Sequence, residues 1–315
     1  MHGSGAVVVA EDVSSVLIEG PWSHRMLAAN GARFHVVEAG RDSEGPLVLL
    51  LHGFPEFWWA WRHQIPALAD AGYRVVAMDL RGYGASDKPP QGYDTFTLAA
   101  DAAAVVRCLG VRSAVVTGHG WGGWIAWAMA TMQPDVTQGV AALGMPHPLV
   151  LRQASRTDPR QIRANGYLWS MQAPFLPERA MSSGPRYTRK LMRAWSGDDA
   201  WPDAALVDRY AGALTLPFVA HSAAEYYRWV VRSVLRSDGR RMVNRLSQPV
   251  PVPALLVHGD ADGCVLSAST HGSQAYCRGG YREERLAGVG HFVPEQAPDE
   301  ATRILLDWLP QVAER

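Results

Sequence analysis

The chain has 315 residues, 48% of them hydrophobic, and carries 30 basic and 30 acidic side chains, so its formal net charge is zero. This length suits one domain with a large insertion, or two domains, and the apolar content is enough for a sizeable core. Because no basic block or stripe occurs, we expect neither nucleic acid nor an anionic membrane as a partner.

Targeting and redox signals in the sequence favour a reduced cytoplasmic protein. The cysteines Cys108, Cys264 and Cys277 are few, odd in number and without metal-ligand spacing. The apolar run at residues 6–10 is too short for a signal peptide, and no run approaches the roughly 20 residues that span a bilayer. We therefore expect a cytoplasmic location, no membrane span, and a loosely ordered N-terminal tail over residues 1–22.

From about residue 24, short β runs alternate with helical patterns. Strands are predicted at residues 33–39, 47–51, 73–80, 113–117 and 136–143. Helices are predicted at residues 59–70, 94–109 and 122–132, the second capped by Asp94 or Thr95. The run LVLLL at 47–51 is apolar throughout, as in a strand buried on both faces. A glycine- and proline-rich loop is expected at residues 82–92.

The alternation stops near residue 146 and returns near residue 252. The intervening stretch is mostly helical in pattern and rich in Trp, Tyr, Met and Arg. After it come VPALLVHGD, a helical stretch near 269–277, the strand YREERLAG and a final helix at about 298–312. This rhythm predicts a mostly parallel twisted sheet with helices on both faces. We expect a core formed by residues 23–145 and 246–315, and a helical cap formed by residues 146–245.

Chemistry-bearing segments follow several of the predicted strands. His52-Gly53-Phe54-Pro55 follows the apolar strand, and Gly118-His119-Gly120-Trp121 turns sharply from a strand into a helix. The backbone N–H groups of Phe54 and Trp121 are predicted to form an oxyanion hole. Asp262 and His291 each follow a late strand, in the acid-then-base order of a catalytic triad on such a sheet.

In this order and spacing the motifs HGFPE, DLRGYGASDKP and GHGWGG resemble those of the α/β-hydrolase fold, in its epoxide-hydrolase-like branch. The resemblance covers about residue 33 to the C-terminus. It implies an aspartate in the glycine turn that attacks an epoxide carbon, a His–acid pair that hydrolyses the resulting ester, and two cap tyrosines that bind the epoxide oxygen. It assigns the base to His291, the acid to Asp262 and the second tyrosine to Tyr227, with Tyr226 as an alternative.

Two positions depart from the family pattern. The nucleophile position is Gly120, and the position of the first cap tyrosine is Ser170, with Tyr167 nearby but out of register. Three interpretations of Gly120 stay open. Glycine relieves strain in a left-handed turn of a protein that no longer needs the nucleophile; the substitution is engineered; or a water molecule replaces the carboxylate, with His291 as its general base.

The sequence thus predicts an epoxide-hydrolase-like scaffold that takes a small apolar molecule between cap and core, with its covalent mechanism impaired at Gly120. The alternatives are a non-catalytic ligand-binding pseudo-hydrolase, or a hydrolase or lyase in which His291 and Asp262 activate water. Substrate contacts are expected from His52, Pro55, Trp58, Tyr226 and Trp169. No metal or organic cofactor is expected, since no phosphate-cradling loop occurs. The protein is expected to be a monomer or a homodimer.

Overall fold

The computed structural model describes residues 11–313, whose strands form one eight-stranded sheet. The strands are β1 (Ser23–Ala29), β2 (Ala32–Ala39), β3 (Leu47–Leu51), β4 (Arg74–Met78), β5 (Ala114–His119), β6 (Thr137–Leu143), β7 (Ala254–Gly259) and β8 (Tyr281–Leu286). Their order is β1-β2-β4-β3-β5-β6-β7-β8. The pairs β1–β2 and β2–β4 are antiparallel and all others are parallel, which confirms the predicted mostly parallel sheet.

The strands β3, β5 and β7 are buried along their whole length, because helices cover both faces of the sheet. The helices that pack on the core are α1 (Gln64–Asp70), α2 (Thr95–Cys108), α3 (Trp121–Met132), and, after β8, α12 (Val293–Gln296) and α13 (Pro298–Ala313). The Asp94 carboxylate accepts a hydrogen bond from the Thr97 N–H at 3.0 Å, so Asp94 is the N-cap of α2.

Eight helices lie between β6 and β7, where the sequence predicts a helical segment. They are α4 (Pro148–Thr157), α5 (Pro159–Ala164), α6 (Gly166–Ser170), α7 (Leu176–Met181), α8 (Pro185–Ser196), α9 (Ala204–Thr215), α10 (Val219–Ser233) and α11 (Ser237–Leu246). We call this segment, residues 148–246, the helical insertion. Within residues 11–313, no helix combines the length and apolar character that a membrane crossing requires.

Part of the predicted N-terminal tail packs against the core in the structure. A short 3-10 helix, Val13–Val16, packs on the core, and Val16 is buried. The Trp58 indole N–H donates to the Val16 carbonyl at 2.8 Å, which ties this segment to the 3-10 helix that follows β3. Residues 1–10 of the predicted tail lie outside the described residues.

The structure also departs from the sequence predictions at two local points: β1 was not among the predicted strands, and one predicted helix is split. The first strand pair, β1–β2, turns at Asn30 and Gly31, which both have positive φ (45° and 76°), as a two-residue hairpin of the Asn-Gly type requires. The predicted helix at 59–70 is split into a 3-10 helix, Trp58–Trp61, and α1. Pro66 explains the break, because it has no N–H and is tolerated only in the first turn of a helix that starts at Gln64.

Candidate active site

The register of the parallel strands brings the loops after β3, β4 and β5 to one edge of the sheet. Leu51 at the end of β3 pairs with Met78 of β4 on one side and with Gly118 of β5 on the other. The loops after β7 and β8, which carry Asp262 and His291, reach the same edge, because these strands run parallel to the others. The separate sequence motifs therefore meet in one site.

Gly120 occupies the turn between β5 and α3. Its backbone has φ 51° and ψ −114°, a combination that glycine adopts freely and that other residues rarely adopt. The turn is held on both sides: the Gly120 N–H donates to the Leu143 carbonyl at 3.1 Å, and the Trp124 N–H donates to the Gly120 carbonyl at 3.0 Å. The sharp strand-to-helix turn is thus complete, although its central residue carries no side chain.

A side chain at position 120 would point at His291. A Cβ built on Gly120 would lie 3.4 Å from His291 Nε2 and 3.5 Å from the Cα of Gly53. Apart from its chain neighbours, no other residue of the described chain would have an atom within 4 Å of this Cβ, so the position opens toward the imidazole and toward the loop that contains Phe54. This is the place from which an attacking group would be deprotonated or oriented by His291.

His291 and Asp262 form a buried acid–base pair. His291 Nδ1 lies 2.8 Å from Asp262 Oδ2, and the other carboxylate oxygen, Oδ1, accepts from the N–H groups of Cys264 (2.7 Å) and Val265 (2.8 Å). A carboxylate held by two backbone donors accepts from His291, so Nδ1 carries the proton of the neutral ring. Nε2 is then the basic nitrogen, and it is the nitrogen that faces Gly120.

The two predicted oxyanion donors have no acceptor in the described part of the chain. Neither the N–H of Phe54 nor the N–H of Trp121 donates to any described residue. Trp121 is the first residue of α3, where backbone N–H groups have no partner within the helix. Both residues line the same cavity as Gly120 and His291, so these donors are free for a ligand atom.

Two tyrosines of the helical insertion face this site side by side. Tyr227 on α10 contacts the Phe54 ring edge-to-face at 5.5 Å between centroids, and Tyr167 on α6 contacts Tyr227 in the same manner at 5.5 Å. Burial raises the pKa of both phenols well above the usual value, so they are hydrogen-bond donors at neutral pH. Ser170, the position in register with the first cap tyrosine, is exposed and does not line the cavity, whereas Tyr167 does.

Four of the predicted substrate contacts are buried and do not line the cavity. The neutral His52 ring bridges the Gly53 carbonyl (2.8 Å) and the Leu80 N–H (3.0 Å). Trp58 is fully buried and donates to the Val16 carbonyl of the N-terminal segment, and Pro55 is buried. The Tyr226 hydroxyl donates to the Arg81 carbonyl at 2.8 Å, which ties α10 to the loop after β4. Only Trp169 lines the cavity, at its rim, with 71% of its surface exposed.

A buried Glu56–His119 pair positions the site, and the sequence reasoning assigned no role to Glu56. Its carboxylate accepts from the Gly53 N–H (2.9 Å) and from His119 Nδ1 (2.7 Å), while His119 Nε2 donates to the His291 carbonyl (2.8 Å). Both ring nitrogens of His119 face acceptors, so the ring is an imidazolium. Burial lowers the pKa of His119, but the charge of Glu56 offsets this and raises the pKa overall. The pair joins the Phe54 loop, the glycine turn and the base.

The cavity between the sheet edge and the helical insertion has a volume of about 680 Å³, and we call it the main cavity. Its wall is mostly apolar, and its deep end is formed by residues already described: Phe54, Gly120, Trp121, Tyr167, Tyr227 and His291. Such a volume and wall suit a small organic molecule. Across residues 11–313, no cluster of three or more His, Cys, Asp or Glu side chains is arranged to hold a metal ion.

Comparison with known proteins agrees with this geometry. Residues 46–298 match the sequence profile of the alpha/beta hydrolase fold family. The chain belongs to the α/β-hydrolase family. It is 31% identical to the AB hydrolase superfamily protein YfhM of Bacillus subtilis (89% of this chain, 95% of that protein) and 31% identical to epoxide hydrolase A of Mycobacterium tuberculosis (91% and 97%). An epoxide hydrolase from an endophytic Streptomyces superposes with a TM-score of 0.80 at 30% identity (93% and 97% covered).

These similarities place this α/β hydrolase in the epoxide-hydrolase-like branch. The resemblance read from the sequence motifs is therefore confirmed at the level of family and branch. In this site the His291–Asp262 pair, the backbone N–H groups of Phe54 and Trp121 and two tyrosines surround Gly120, the position at which the resemblance implies an attacking carboxylate.

Proposed function

We propose that this protein is an epoxide-hydrolase-like hydrolase that binds a small apolar epoxide in the main cavity and opens it with water, without a covalent intermediate. The observation that carries the proposal is the geometry at Gly120. The side-chain position there lies 3.4 Å from the basic nitrogen of His291, and glycine offers no nucleophile. A water molecule hydrogen-bonded to Nε2 would stand where a carboxylate would otherwise lie.

The proposed reaction conserves atoms and charge. His291 Nε2 removes a proton from water as the water oxygen attacks an epoxide carbon, and the carbon–oxygen bond of the ring breaks. The electron pair goes to the former ring oxygen, which accepts hydrogen bonds from the hydroxyls of Tyr227 and Tyr167. The imidazolium of His291 then gives up its proton, the former ring oxygen is protonated, and a neutral diol leaves with the base regenerated. Asp262 stabilises the imidazolium that forms, through its 2.8 Å contact with Nδ1.

The free N–H groups of Phe54 and Trp121 support this proposal. In the water route they would donate hydrogen bonds to the attacking oxygen and fix its position between the base and the substrate. The magnitude of catalysis is limited, because removing the nucleophile of a Ser-type triad costs about 10⁶-fold in turnover and leaves about 10³–10⁴-fold over water. We therefore expect slow turnover rather than none.

Three variants test the proposal with a terminal aryl epoxide as substrate. Wild-type protein should form diol slowly, His291→Ala should abolish it, and Gly120→Asp should open the epoxide faster through an ester that can be trapped. Ser170→Ala is the matched control, because Ser170 is exposed and outside the cavity wall. Wild-type diol formation that survives His291→Ala would contradict the proposal. Ligand binding without turnover in wild type would instead favour the non-catalytic binding protein.

A further inference from the structure

The outer part of the main cavity carries an excess of positive charge. Arg152 and Arg156 on α4 and Arg232 on α10 line it, whereas none of its lining residues in the described chain is Asp or Glu. None of the three guanidinium groups forms a salt bridge with a described residue. Arg228, also on α10, differs from them, because it pairs with Glu178 at 2.6 Å.

Arg152 and Arg156 repel each other where they stand. They are four residues apart on α4, so they lie on the same face of the helix, and like charges at this spacing are unfavourable. Arg152 is half-buried, and burial together with the charge of Arg156 lowers its pKa. Two uncompensated cations, one of them partly removed from water, attract an anion to the wall of an otherwise apolar cavity.

Exposure shows which end of the main cavity the arginines occupy. Arg156 and Arg232 are exposed, whereas His291 is 3% exposed and Gly120 is buried. The cations therefore lie near the mouth and the reactive groups at the floor. Apolar side chains fill the wall as well, among them Leu149, Leu168, Val230 and Met242. A ligand complementary to this wall has a charged end, an apolar body and a reactive group at the far end.

We propose that the ligand of this site is an apolar molecule with an anionic end group, of the carboxylate type, which Arg152 and Arg156 bind at the mouth of the main cavity. The inference rests on the proposed function, since it assumes that the apolar body enters this cavity. Guanidinium groups bind carboxylates through charge-assisted, often bidentate hydrogen bonds. Arg232, on the facing helix, adds to the positive potential that draws the anion in.

The test compares decanoate with 1-decanol, two ligands of equal chain length, at concentrations where both are monomeric. Binding is measured by titration calorimetry in wild type and in the double variant Arg152→Gln/Arg156→Gln. Decanoate should bind wild type roughly ten-fold more tightly than decanol, the advantage expected from one charge-assisted contact. The double variant should lose this difference and bind decanol as before. Added salt should weaken only the binding of decanoate.

Arg179→Gln is the matched control, because Arg179 is an exposed, unpaired arginine of α7 that does not line the main cavity. It should leave both affinities unchanged. Equal binding of decanoate and decanol to wild type, or an equal loss in the control, would overturn the inference. Arginine-dependent binding to anionic vesicles alone, without monomeric decanoate, would also overturn it in favour of a membrane surface. Failure of both ligands to bind would instead contradict the proposed function.

Discussion

Adding a methyl group at Gly120 tests whether the glycine is there to relieve backbone strain. The added Cβ would lie 3.4 Å from His291 Nε2 and 3.5 Å from the Gly53 Cα, which are ordinary contacts, so the methyl group fits the available space. The backbone is the obstacle, because φ 51° with ψ −114° is unfavourable for any residue with a Cβ. Such conformations cost on the order of 1–3 kcal/mol, and we expect Gly120→Ala to lower the free energy of unfolding by that amount.

Urea denaturation followed by circular dichroism measures this loss directly. The unfolding entropy expected for a chain of this length, about 0.7 kcal/mol/K, converts it into a drop in Tm of roughly 1.5–4.5 °C. Gly166→Ala is the matched control: Gly166 lies in α6 without a positive φ, and a Cβ at this position would meet no atom within 4 Å. Alanine should be neutral or slightly stabilising there. A Gly120→Ala protein as stable as wild type would refute the strain argument.

Adjacent tyrosines on α10 should separate catalysis from stability. Tyr227→Phe should slow diol formation by about 100-fold with little effect on unfolding, because it removes a donor to the developing alkoxide. Tyr226→Phe should do the reverse and lower the free energy of unfolding by about 1 kcal/mol, through loss of the bond to the Arg81 carbonyl; equal effects of the two variants in rate and urea assays would contradict the assignment. Burial lowers the pKa of His147 to about 3. Below about pH 6.5, His147 therefore binds a proton in the unfolded chain but not in the folded chain, and the free energy of unfolding decreases as the pH falls. At about pH 5 the loss is about 2 kcal/mol, and His147→Phe should lack it when urea curves at about pH 7.5 and pH 5 are compared; identical pH dependence in both proteins would count against this.

The core of the fold could be predicted because its strands carry an unambiguous pattern. β3 is apolar at every position and buried on both faces, and the glycine turn after β5 marks the start of α3. The edge strand β1 has no continuous apolar run. Part of it faces solvent and its burial is irregular, so its sequence is not constrained to be apolar. Its one clear signal was the Asn30-Gly31 pair, which is typical of a two-residue hairpin. Pro66 likewise marks the break that splits the predicted helix at 59–70 into a 3-10 helix and α1.

The site was predictable where chain order decides it and not where packing decides it. The order of Asp262 and His291 was enough to infer their pairing, which the structure shows at 2.8 Å. Tyr167 and Ser170 lie on the same five-residue helix, α6, and its rotation is set by contacts with α8 and α10. No periodicity in five residues fixes that rotation. Tyr227 was preferred over Tyr226 in the sequence, but packing separates them: Tyr227 lines the cavity, and the Tyr226 hydroxyl donates to the Arg81 carbonyl.

The central claim is that the site keeps its base and backbone donors but has no attacking side chain. The mass of the intact protein, measured after a single turnover with an epoxide is quenched in acid, tests this claim most directly. The wild-type mass should be unchanged while diol appears, and Gly120→Asp should gain the mass of the substrate. A wild-type protein that gains the substrate mass at a cavity-lining residue would contradict the account, because a side chain would then be the nucleophile.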